Sequence, residues 1–94
     1  MLTKKDIKYL KSLAQKQRAL FQVGKDGISE NMLKSMDDAF EAHELVKINL
    51  LKTCPQTLQE VQSYIAFATQ CEVIQVIGKT IVGYRRSKKN VLGL

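Results

Sequence analysis

A four-residue punctuation, Gly24-Lys25-Asp26-Gly27, constrains this 94-residue chain more than any other feature. It separates a short apolar run, Leu20-Phe21-Gln22-Val23, from a stretch of helical periodicity that opens at Ser29. Glycine has no Cβ and takes up positive φ without penalty, so two glycines permit a tight strand-to-helix turn and a close partner. A helix that begins directly after such a turn presents unpaired N–H groups and the positive end of its dipole. A phosphate suits that arrangement.

The segments on either side extend the pattern. Thr3 caps a first helix, with Asp6 favouring its positive end and Ile7, Leu10, Leu13 and Ala14 forming one apolar stripe. Ser29 caps the second, where Ile28 and Leu33 stand at the spacing of a hydrophobic staple. Met32, Leu33, Met36 and Phe40 supply its apolar face, and Asp37, Asp38 and Glu41 its wet one. Leu45 to Leu51 alternates as a strand does. A third helix opens either at Pro55, in its favoured first turn, or at the Thr57/Glu60 capping box. Leu58, Val61, Ile65 and Ala68 form its seam. Val73–Ile77 and Thr80–Arg85 close the chain as a hairpin, with Gly78-Lys79 suiting a type II′ turn. The order α-β-α-β-α-β-β predicts a single compact α/β domain with three helices and a four-stranded mixed sheet. That domain spans residues 1–86, and residues 87–94 read as a polar, mobile tail.

The charge is laid out in blocks. Lys4, Lys5, Lys8, Lys11, Lys16, Arg18 and Lys25 against Asp6 alone give residues 1–25 a net +6. The middle, 26–78, is −5, and 79–94, with Lys79, Arg85, Arg86, Lys88 and Lys89, is +5. Two basic ends around an acidic centre favour an oriented encounter with a polyanion, RNA or DNA. No apolar stretch approaches the ~20 residues of a membrane span, and the N-terminus lacks the apolar core of a signal peptide. The expected protein is soluble, cytoplasmic and monomeric, with no membrane partner.

Catalysis and cofactors find little support. Gly78-Lys79-Thr80 resembles the end of a nucleotide-binding P-loop, but Val73 stands where that motif needs glycine and a strand follows instead of a helix. His43 has only Glu44 beside it, and no acid–nucleophile pattern. Cys54 and Cys71 read as free thiols, too few and too far apart for a metal site. No enzymatic activity, cofactor or metal is expected. The candidate RNA-binding residues are Gly24, Lys25, Asp26 and Gly27 in the loop, Lys4, Lys8, Lys11 and Arg18 around the first helix, and Lys79, Arg85 and Arg86 at the far end. With few aromatic platforms, phosphate contacts should outweigh base readout, much as the G-x-x-G loop of KH domains grips a backbone. The alternative is a protein-interaction module that docks through its acidic middle on a basic protein partner.

Three blocks in order carry a resemblance: Val23-Gly24-Lys25-Asp26-Gly27-Ile28-Ser29, His43-Glu44-Leu45-Val46-Lys47, and Val76-Ile77-Gly78-Lys79-Thr80-Ile81-Val82-Gly83-Tyr84-Arg85. Together they resemble the CRM domain, the chloroplast-RNA-splicing and ribosome-maturation module, in its stand-alone bacterial YhbY form. The resemblance implies a fold similar to the C-terminal domain of translation initiation factor three. It also implies binding to structured ribosomal RNA of large-subunit precursors, a part in their assembly, and RNA contact through Gly24–Gly27. Three departures stand out: an acidic Asp26 in the loop, Gly83 where a larger apolar residue is common, and Arg86 where proline is common.

Overall fold

The computed structural model describes residues 2–94. Its elements follow the expected order: α1 (Lys4–Lys16), β1 (Phe21–Val23), α2 (Glu30–His43), β2 (Leu45–Leu50), α3 (Leu58–Thr69), β3 (Glu72–Ile77) and β4 (Thr80–Tyr84). The caps explain the helix starts. Thr3 and Asp6 exchange side-chain and backbone hydrogen bonds in a capping box at α1, and Ser29 Oγ accepts from Met32 N at α2. At α3 the Thr57/Glu60 box prevails over Pro55, because it satisfies two otherwise unpaired N–H groups at once.

The sheet order is β1-β2-β4-β3. β1 runs parallel to β2, with Val23 opposite Leu50. β4 is antiparallel to both of its neighbours, so β1, β2 and β3 all point the same way. Both crossovers, through α2 and α3, advance in the same direction across the sheet. Both helices therefore cover one face. Their core holds Val23, Met36, Phe40, Val46, Ile48, Val61, Ile65 and Ile81. The seam of α3 runs Val61–Ile65–Thr69, while Ala68 is exposed, which corrects the expected seam: steps of four keep the row facing the sheet. α1 covers the other face, where Leu10 and Ala14 meet Leu45, Val82 and Tyr84. Lys47 ties that layer down, donating from Nζ to Ala14 O and Gln17 O at the C-terminus of α1.

The hairpin turn has the expected geometry: Gly78 adopts φ +57°, and Lys79 does not share the positive-φ region. Gly83 has a separate explanation. A Cβ there would lie 2.9 Å from Phe40 Cζ and 3.3 Å from Cys71 Sγ, so the Phe40 ring fills the space that a side chain at this position would need.

Residues 87–94 fold back onto the domain, contrary to the tail expected from their polarity. Glu44, fully buried and at φ +67°, is their anchor. Its Oε2 accepts from Ser87 N, Ser87 Oγ and Val91 N, and its Oε1 from Leu92 N. Leu92 and Leu94 then pack against the α1 side of the sheet. Composition hides this because the anchor lies more than forty residues upstream. Burial alone would push the Glu44 carboxyl up, but the donors from Ser87, Leu92 and Val91 outweigh it and hold it below its ordinary value.

Candidate nucleic-acid interface

Parallel strands deliver their following loops to one end of a sheet. Here the glycine loop follows β1 and the 51–57 loop follows β2. The β3–β4 turn, Gly78-Lys79, reaches the same end. Hydrogen bonds stitch the three together: Leu51 N to Val23 O at 2.9 Å and Leu50 N to Lys79 O at 2.8 Å. The glycine loop is a tight turn closed by Gly27 N to Gly24 O at 2.9 Å.

The two glycines differ in role. Gly27 is buried at φ +66°, and a Cβ there would stand 2.3 Å from Gln56 Oε1. That same Oε1 accepts Ile28 N at 3.2 Å. Gln56 therefore occupies the side of Gly27 expected to admit a nucleic-acid strand, and Gly27 is glycine for an intramolecular reason. Gly24 has an ordinary φ, and a Cβ on it would meet only Leu51 Cδ1 at 3.5 Å and Thr53 Oγ1 at 3.8 Å. What the loop offers to solvent is its apex, Lys25 and Asp26, both exposed.

The remaining candidates divide into groups. Lys79 is exposed on the same edge as Lys25. Lys4, Lys8 and Arg18 are exposed and Lys11 is half-buried, all on or just beyond α1, on the layer opposite α2 and α3. Arg86 is exposed but leaves β4 beside the start of β2, since Tyr84 pairs with Leu45. At about 3.3 Å per residue it stands roughly 17 Å or more from the glycine loop.

Arg85 is engaged within the fold, and its expected role as an RNA contact is corrected accordingly. Its side chain is only 19 % exposed. The guanidinium bonds Asp37 Oδ1, donates to Thr69 O at 2.7 Å and Asp37 O at 3.0 Å, reaches Glu41 Oε2 at 3.4 Å, and lies 5.8 Å from the Phe40 ring centre. Five donors in a planar fork suit such a junction. Lys88 N also donates to Glu41 Oε1. The basic C-terminal block is thus divided: Lys79 at the loop edge, Arg85 and the Lys88 backbone against α2, and Arg86 at the opposite end.

Sequence reasoning missed Lys52, which counted only as a stray cation in an acidic middle. It is exposed in the loop after β2, between the strand ends that carry Lys25 and Lys79. The parallel pairing of β1 and β2 was the signal that could have found it. Both cysteines are free: Cys54 lies half-buried in the loop after β2, its Sγ 3.7 Å from Gln56 Oε1, and Cys71 lies just before β3 at the opposite end of the sheet, where burial pushes its thiol up. No group of side chains among the described residues could hold a metal ion, and no helix is long and apolar enough to cross a membrane.

A three-layer α/β domain with a cationic loop edge and a lysine-rich helix on one layer is the class that this fold and surface define. The CRS1 / YhbY (CRM) domain family matches residues 2–85, and the chain belongs to that family. It is 39% identical over 90 residues to the Bacillus subtilis protein named "Probable RNA-binding protein YqeI", covering 96% of this chain and 94% of that one. A Haemophilus influenzae protein named "RNA-binding protein" is 30% identical over 88 residues, covering 94% and 89%. Among solved structures, the chain is similar to the solution structure of the hypothetical protein SAV1595 of Staphylococcus aureus, described there as a candidate RNA binding protein. That likeness has a TM-score of 0.76 at 46% identity, covering 96% and 94% of the two chains.

Proposed function

We propose that this protein binds structured ribosomal RNA and assists maturation of the large ribosomal subunit in the cytoplasm. The observation that carries the reading is the loop edge, where an exposed Lys25-Asp26 apex on a braced turn shares one end of the sheet with Lys79. Relatives named as RNA-binding proteins support the RNA, and the CRM resemblance supports the ribosomal target. Gly24 to Gly27 shape the contact, Lys25 and Lys79 neutralise phosphates, and Lys4, Lys8, Lys11 and Arg18 extend the basic surface. Arg86, at the other end of the sheet, lies too far from Lys25 and Lys79 to share a short segment with those two. Phosphate neutralisation makes the affinity fall steeply with salt.

The experiment is a mobility-shift titration with Lys25→Gln combined with Lys79→Gln. Wild-type affinity in that variant would refute the loop edge as the contact. Crosslinking in cells, followed by sequencing of the attached RNA, should recover large-subunit precursor fragments.

A second reading, docking of a basic ribosomal protein or assembly factor, is favoured by α3. That helix exposes Tyr64 (51%) and Phe67 (83%) and carries no basic residue. An association that survives nuclease digestion and is lost in Phe67→Ala would support it.

A further inference from the structure

We propose that Lys52 is an RNA contact in its own right, and that an RNA strand crosses the sheet end at right angles to the strands, over Lys25, Lys52 and Lys79 in turn. This rests on the RNA-binding reading above. The order β1-β2-β4 sets the three loops side by side, at about 4.8 Å per strand, so the row is about 10 Å long at its base. The two inter-loop hydrogen bonds, Leu51 N to Val23 O and Leu50 N to Lys79 O, hold that spacing from both sides of β2. Lys52 is central in the row, so a strand touching Lys25 and Lys79 must pass it.

Its charge is free for the purpose. Among the described residues, ion pairs form only at Arg85, and no hydrogen bond engages the Lys25, Lys52 or Lys79 side chains. Lys47, five residues earlier, shows the contrast: its Nζ is spent on Ala14 O and Gln17 O. Thr53 follows Lys52 in an exposed position and faces Gly24, so its hydroxyl can donate to the same backbone. A compact ammonium on a flexible stem neutralises a phosphate without base preference.

The test is the salt dependence of binding to a labelled RNA stem-loop with single-stranded arms, using the full chain. Removing the cation from one neutralised phosphate lowers the slope of log K against log[salt] by about 0.7 to 0.9, which at ~50 mM salt is about eight- to fifteenfold weaker binding relative to a 1 M reference. Lys52→Gln should show that decrease, Lys52→Arg should restore the slope, and Lys34→Gln on the outer face of α2 should leave it unchanged. A wild-type slope in Lys52→Gln, with the slope lowered in Lys25→Gln, would overturn the crossing path and leave RNA binding standing. Failure of the wild-type chain to bind the probe would instead sink the RNA-binding reading itself.

Discussion

Gly27→Ala isolates the brace behind the glycine loop. Two separate costs follow from the geometry. A non-glycine residue at φ +66° costs about 1–2 kcal/mol. The new methyl would also lie 2.3 Å from Gln56 Oε1 and 3.0 Å from its Cδ and Nε2. The amide is the end of a flexible side chain, so it moves before the backbone does. Moving it breaks the bond from Ile28 N and leaves a part-buried N–H unpaired, at about 1 kcal/mol. Together the substitution should destabilise the domain by about 2–3 kcal/mol. Gly24→Ala, with ordinary φ and no contact under 3.4 Å, should fall within about 0.5 kcal/mol of wild type. Urea denaturation with unchanged m value measures both. The decisive comparison repeats Gly27→Ala in a Gln56→Ala background, where only the φ strain remains and the cost should shrink by about 1 kcal/mol. An equal cost in the two backgrounds, or a Gly27→Ala cost below about 0.5 kcal/mol, would refute Gln56 as the brace.

Other outcomes follow from the same contacts. The folded Glu44 carboxyl is held below its ordinary 4.5, so its stabilisation is complete at neutral pH and is lost as pH falls through the folded value. Acid titration followed on the Ser87, Val91 and Leu92 amides should show their protection disappearing together, and Glu44→Gln should reproduce that release at pH 7 at a cost of about 2–3 kcal/mol. Arg85→Lys keeps the charge but loses the planar fork, so thermal melting should report about 1–2 kcal/mol of destabilisation while the salt slope of RNA binding stays put. A fallen slope would return Arg85 to the interface. Gly83→Ala presses on the Phe40 ring and should cost about 1–2 kcal/mol, recovered in part by Phe40→Leu, with calorimetry as the measure.

Local signals in the chain reach some of this molecule and not the rest. Thr3, Ser29 and Thr57 mark helix starts because a cap is satisfied within four residues. Gly78 marks the hairpin because its turn needs positive φ. Gly27 was legible as a glycine but not for its reason, which is Gln56, 29 positions away in sequence. Arg85 looked like free charge because its acceptors, Asp37 and Thr69, belong to two different helices. Lys52 was hidden by averaging: it counted toward a segment's charge, while its position follows from strand direction. Residues 87–94 resemble a solvated tail until Glu44 is seen to collect four of their donors. In each case the missing quantity was a pairing across the fold.

The last strand in the chain occupies an interior slot in the sheet. β2 and β3 bond to β4 on either side, and β1 adds only three residues to the outer edge of β2. A nascent polypeptide that ends before Thr80 therefore leaves two rows of backbone donors and acceptors without a mate, a configuration prone to sticking. Pairing of β2 on this side must wait until Thr80–Tyr84 has been made, since this keystone follows β3 in the chain and its other partner, Leu45–Asn49, lies far upstream. Premature termination or clipping ahead of the final hairpin should thus yield aggregating fragments, whereas a fusion beyond Leu94 hangs from a segment already clasped away from the lysine row.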